Sequence, residues 1–219
     1  MNGVARGLLP SLAMFLMSAW AAEGILAQQS TGPPHIGVIA PNVSAQSEDA
    51  HAFRDGLQDA GYAEGRNIFI DWWYGSGSYN HLGEAIANLV ERKVDVIVVE
   101  STVAALATKR ATSTIPIVMA TVADPVGSGL VASLAQPGGN ITGLSMMTTD
   151  LSAKRLELLK EAMPRVTRVA VLWNPLTPWH PRALEDIKRA APSLSIELTF
   201  HSARNAEEIP RSQSFSLPG

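Results

Sequence analysis

Polar residues stand directly after short, β-branched apolar runs at four places in this 219-residue chain: 41–47, 100–102, 121–126 and 174–180. Ser101 and Thr102 follow Val96-Ile97-Val98-Val99 and precede a helical stretch. Their hydroxyls and free backbone N–H groups can hold an anion such as a carboxylate, or can simply cap the helix. Asp124-Pro125 repeats the arrangement after the next apolar run. There the carboxylate can cap a helix whose first residue is proline, or receive a ligand ammonium, and the two roles are compatible. Asn174-Pro175 with Thr177-Pro178-Trp179 forms a rigid polar loop whose indole either stacks on a flat ligand or covers the core.

Catalytic signatures are missing around these loops. The chain has no G-x-S-x-G elbow, no G-x-x-x-x-G-K-[ST] loop and no H-E-x-x-H pair. Its five histidines are scattered, and no two are spaced to share a helix face as metal ligands. Zero cysteines remove disulfides, thiolate nucleophiles, iron–sulfur clusters and cysteine-bound zinc. Gly127-Ser128-Gly129-Leu130-Val131-Ala132 fits G-x-G-x-x-A, with Asp150 downstream. Its first glycine, however, falls beyond Asp124-Pro125 instead of at the strand–helix turn where a dinucleotide needs it. Gly127 and Gly129 are read instead as letting a helix pack closely on a sheet. No cofactor and no metal are implied, and an enzyme is not expected. Composition agrees with a folded chain: 46% hydrophobic, 17% charged, net charge −3. Without a basic stripe, nucleic acid is not an expected partner.

The elements that position these loops follow from periodicity. Runs at 36–40, 67–73, 94–100, 115–121, 141–146, 169–173 and 195–200 have strand length and are bounded by turn residues. Between them Ala50, Phe53, Leu57 and Ala60 share a helix face behind the N-cap Ser47, and Gly61 stops that helix. Leu82, Ile86 and Leu89 form a second stripe, and Leu130 with Leu134 marks a third helix. Asp150 is expected to cap a fourth, with Leu151, Leu158, Leu159 and Ala162 inward and Pro164 ending it. Strands separated by helices pair in parallel, which predicts an α/β fold with doubly wound sheets whose ligands bind at the carboxyl ends of the strands. Ahead of all this, Arg6 and the apolar run 8–22 are too short to span a bilayer and predict a signal peptide over 1–27, cleaved after Ala27. Export to the periplasm without stable membrane insertion follows, and the absence of a cysteine after Ala27 excludes a lipid anchor.

The order of several segments resembles a known family. Phe53-Arg54-Asp55-Gly56-Leu57, Gly61-Tyr62-Ala63-Glu64-Gly65-Arg66-Asn67-Ile68, Val94-Asp95-Val96-Ile97-Val98, Ile115-Pro116-Ile117-Val118, Asp124-Pro125-Val126 and Pro137-Gly138-Gly139-Asn140-Ile141-Thr142-Gly143 are similar to the ABC transporter substrate-binding proteins of the tryptophan/tyrosine type. The resemblance spans about residues 34 to 209. It implies the type I periplasmic-binding-protein fold: two Rossmann-like lobes with parallel doubly wound sheets, closing on a small ligand that is handed to ABC permease membrane subunits. The lobes fall at 34–147 and 148–209, with a crossover following 140–147. The ligand-binding positions it implies are Ser44 after the first strand, Ser101 and Thr102 after the third, Asp124 after the fourth and Asn174 after the first strand of lobe two. An aromatic amino acid would have its carboxylate held by hydroxyl and N–H donors, its ammonium by Asp124 and its ring by apolar surface.

One departure stands out. Asn205-Ala206-Glu207-Glu208-Ile209 opens a helix with a capping box, yet Pro210 follows, and 210–219 reads as an irregular tail. Lobe two is therefore expected to be incomplete. The alternatives are a truncated receptor that no longer binds and a secreted α/β hydrolase-like enzyme.

Overall fold

The apolar runs become strands because residues such as Val96-Ile97-Val98-Val99 fill a surface covered on both faces. The computed structural model describes residues 32–209; the expected signal peptide and the tail at 210–219 lie outside the described residues. In chain order the elements are β1 (His35–Ala40), α1 (Glu48–Asp59), β2 (Phe69–Tyr74), α2 (Leu82–Glu91), β3 (Val96–Val99), α3 (Thr102–Ala111), β4 (Ile117–Val122), β5 (Ile141–Ser145), α4 (Ser152–Ala162), β6 (Arg168–Trp173), α5 (His180–Ala190), a 3-10 turn (Ala191–Leu194) and β7 (Glu197–Ser202). Strands β1 to β5 form one all-parallel sheet in the order β2-β1-β3-β4-β5, and β6 pairs with β7, also in parallel. Both sheets belong to one unit that begins at Pro34.

The larger sheet is wound on both faces. On one side Ile39, Ile97, Val99, Ile117 and Met119 pack against the α2 stripe Leu82, Ile86 and Leu89 and against Ala104 and Ala105 of α3. On the other, Val38, Ala40 and Val98 pack against Ala50 and Phe53 of α1. Each fully buried aliphatic contributes about 1.5–3 kcal/mol relative to exposure. Ser47 caps α1 as its sequence position predicts, its Oγ accepting from Ala50 N at 3.2 Å. At the β2 edge, Trp72 stacks on Tyr74 at 5.2 Å, meets Phe53 edge-on at 5.5 Å, and has the Arg54 guanidinium 4.5 Å over its ring. Around β6 and β7, Leu156 of α4 packs with Ala191 and Ile196.

Two helix expectations are corrected. No helix forms at 127–134; Leu130 is buried within a chain of turns, while Leu134 is 55% exposed. The segment follows its local turn chemistry, with Leu130 N and Val131 N both donating to Pro125 O. Gly127 and Gly129 therefore do not pack a helix on the sheet. Asp150 does not cap α4: the preceding residue is Leu151, and no side chain caps this end. Leu151 and Leu158 are exposed; Leu159 packs inward as expected, and Leu156 carries the fully buried contact. The register of β4 against β5 shifts between Met119 and Val122. There Gly143 (φ +130°) lies so close to the Met119 backbone that a Cβ would collide with it.

Candidate functional site

In the order β2-β1-β3-β4-β5, the chain leaves β1 toward one edge and returns on its other side as β3. The carboxyl ends of β1 and β3 thus diverge, and doubly wound folds bind ligands in that opening. Three strands deliver polar groups there. Asn42 follows β1, Glu100 and Ser101 follow β3, Thr121 lies at the end of β4 and Asp124 just past it.

Glu100 is the centre of this arrangement. Its Oε2 accepts from Asn42 N at 3.1 Å and from Asn42 Nδ2 at 3.2 Å, and its Oε1 accepts from Thr121 Oγ1 at 3.3 Å. Asn42 Nδ2 also donates to Tyr79 Oη at 3.4 Å. Burial pushes the Glu100 carboxyl above the usual carboxylate range; the hydrogen bonds from Asn42 and Thr121 oppose the rise and nearby Asp49 adds to it.

Ser101 caps α3, its Oγ accepting from Ala104 N at 3.2 Å, and its backbone stands at φ 136°. Thr102 is buried and its Oγ1 accepts from Ala123 N at 3.4 Å, which fastens the start of α3 to the end of β4. Asp124 holds a turn where a helix was expected: Gly127 N donates to its Oδ1 at 2.7 Å and Ser128 Oγ to its backbone O at 2.6 Å. Its side chain is 12% exposed and pairs with Arg182 of α5, Nη1 to Oδ2 at 3.5 Å. A Cβ on Gly127 would run into both the Asp124 carboxylate and the Arg182 guanidinium, so the missing side chain keeps this ion pair possible. Ser44 lies in the turn between β1 and α1, its carbonyl accepting from Ser47 N and Oγ.

Ser101, Thr102 and Asp124 are thus brought together at the ends of β3 and β4, with Ser44 on the loop after β1. Asn174 stands apart, at the end of β6. Its Oδ1 accepts from Leu176 N at 2.9 Å, its Nδ2 donates to Arg204 O at 3.2 Å, and His180 Nδ1 lies 3.1 Å from its backbone N. A cavity of about 350 Å³ opens there, lined by Trp173, Asn174, His180, Arg204 and Asn205 among others. Trp179 precedes α5 with its ring edge-on to His180, centroids 4.2 Å apart. Asn205 Oδ1 accepts from Glu208 N as a capping box requires, while the Glu208 carboxylate reaches back to Arg204 N.

Another cavity, of about 430 Å³, lies between β2 and α2. Its charged groups are already matched, Asp71 with His35 and Arg92, and His81 with Glu84. It also opens along the edge strand β2, outside the β1–β3 switch point. Among the described residues no three His, Asp or Glu side chains converge as a metal site.

Sequence reasoning placed Asn42, Glu100 and Thr121 in the loops it singled out but gave them no role, and it missed Tyr79 and Arg182. The available signal was a glutamate closing a run of four β-branched residues, where an apolar neighbour would be expected.

Comparison with known proteins places this arrangement among its relatives. The profile of the family described as "ABC transporter substrate binding protein" matches residues 35–215. A protein named "Tyrosine-binding protein" from Clostridioides difficile is 39% identical over 123 residues, covering 56% of this chain and 35% of that protein. A solved conserved domain protein from Vibrio cholerae is 31% identical, covers 84% of this chain and 61% of its own, and superposes with a TM-score of 0.69. A domain from Streptococcus pneumonia in complex with L-Trp is 27% identical, covers 83% and 61%, and gives 0.72. A leucine-binding protein from Thermotoga maritima, at 15% identity and a TM-score of 0.59, shares the fold. The chain therefore spans about a third of the length of its curated relative and under two thirds of these solved ones. The parallel sheet with its central switch point is that of the type I periplasmic binding proteins, and the chain belongs to the ABC transporter substrate-binding protein family.

Proposed function

We propose that this protein is the solute-capturing component of an ABC uptake transporter and binds a small, amino-acid-like ligand at the carboxyl end of its larger sheet. The observation that carries the reading is the switch point between β1 and β3, where hydrogen-bonding groups from three adjacent strands converge without catalytic signatures. The lobes are assigned to 34–147 and 148–209, with the ligand between them. Ser44, Ser101 and Thr102 with the N–H groups opening α3 offer donors for a carboxylate, Asp124 and Asn174 line the two facing walls, and half-buried Trp179 offers a ring surface. The role is capture and delivery to permease subunits in the membrane, with no bond made or broken. The setting is the periplasm, reached through the signal peptide at 1–27. The L-Trp complex and the tyrosine-binding relative support an aromatic amino acid as the ligand class. Among the described residues no helix is long and apolar enough to cross a membrane.

Thermal unfolding of the full chain with and without millimolar L-tryptophan, L-tyrosine and benzoate tests the reading. A ligand at 100 times its dissociation constant stabilises the native state by about 2.7 kcal/mol, a clear rise in midpoint. A single cooperative transition raised by one of these compounds is expected. A transition indifferent to all of them overturns the proposal.

A further inference from the structure

The carboxylate of Glu100 has a place in the fold that its hydrogen bonds do not explain. It is half-buried at the end of the central strand β3, and every donor that reaches it is neutral: the Asn42 backbone and amide and the Thr121 hydroxyl. Among the described residues no lysine, arginine or histidine forms an ion pair with it. Four other partly buried carboxylates have a cation: Asp124 has Arg182, Asp71 has Arg92, Glu157 has Lys154 and Asp186 has Arg189. Asp95 and Glu208 have none, but both lie away from the switch point: Asp95 accepts from His35 N at 2.8 Å at the amino end of the sheet, and Glu208 accepts from Arg204 N at 2.8 Å past β7.

A carboxylate withdrawn from water without a counter-charge is unfavourable, and neutral donors repay only part of the loss. Here the two oxygens are held from both neighbouring strands, by Asn42 after β1 and Thr121 of β4, so the group is fixed in place before any ligand arrives. Asp49 deepens the negative potential. The group that completes such a site is compact, positive and rich in donors, which describes a primary ammonium.

Resting on the receptor reading above, we propose that Glu100 accepts the ammonium of the ligand and is the residue that makes this receptor choose amino acids over the corresponding simple carboxylic acids. This moves to Glu100 the role that sequence reasoning gave to Asp124, whose carboxylate is already engaged by Arg182 and Gly127 N.

The test measures dissociation constants of the full chain, by calorimetry, for two pairs: L-tryptophan with indole-3-propionate, and L-tyrosine with 3-(4-hydroxyphenyl)propionate. The wild-type protein is expected to favour the amino acid of at least one pair by about tenfold or more. Glu100→Gln, which keeps the shape of the side chain, is expected to erase that preference while still binding the desamino acid. Glu100→Asp, which keeps the charge but withdraws it by one methylene, is expected to weaken the preference without abolishing it. If Glu100→Gln retains the preference, if the wild type binds both members of each pair equally, or if the preference is lost in Asp124→Asn and not in Glu100→Gln, the inference is overturned and the receptor reading stands. If the wild type binds none of the four, both fall.

Discussion

Ser101 combines φ 136° with ψ 156°, a region that costs a residue bearing a Cβ about 1–3 kcal/mol, while its hydroxyl supplies the cap of α3. These opposed effects separate two substitutions. Ser101→Ala loses the cap, worth about 1 kcal/mol, and keeps the strain. Ser101→Gly loses the same bond but releases the strain. The glycine variant is therefore expected to melt above the alanine variant; denaturant unfolding of the pair checks this, and the reverse order would remove strain from the account. The sequence makes the cap visible, because a serine between a β-branched run and a helix is an N-cap candidate, whatever else its hydroxyl holds. It does not show the backbone angle, and it hides Glu100, whose partners Asn42 and Thr121 are 58 and 21 residues away along the chain. Only strand order makes them neighbours.

At the scale of elements, all seven strands were legible in the β-branched runs, since a doubly covered sheet needs that composition. Helices were less so. Leu130 and Leu134 behind Asp124-Pro125 have helical spacing, but Gly127 and Gly129 favour turns, and the carbonyl of Pro125 takes two successive N–H groups that an α-helix would send elsewhere. At α4 the leucine spacing did not reveal which face is buried; Leu156 does that, through contacts with the distant Ala191 and Ile196. The turn leading into α4 also contains Thr149, 1% exposed, whose Oγ1 has no hydrogen-bond partner. An unsatisfied buried hydroxyl costs about 1–3 kcal/mol. Thr149→Val, which replaces that hydroxyl with a methyl of the same shape, is expected to stabilise the protein by about 1 kcal/mol, read as a rise in the urea midpoint at unchanged slope. A lower midpoint would show that the hydroxyl is satisfied.

For the molecule as a whole, the ion pair between Asp124 and Arg182 joins the end of β4 in the larger sheet to α5, the helix that connects β6 and β7. Gly127 leaves the space it needs. Gly127→Ala is expected to push the two side-chain ends apart, cost about 0–1 kcal/mol as the loss of a partly exposed ion pair does, and raise amide exchange at 124–131 and in α5 while leaving α1 unchanged. Exchange raised uniformly would mean general loosening instead. The strand order has a consequence for biosynthesis as well. β1 emerges first and pairs with β2 on one side; β3 then joins its free side, and β4 and β5 extend that same border in the order they are made. No strand has to be inserted between two that are already paired. The larger sheet can therefore grow outward as the chain leaves the ribosome, with each unfinished border waiting for the next strand to emerge, and this limits the time for which a sticky edge stands open to other chains.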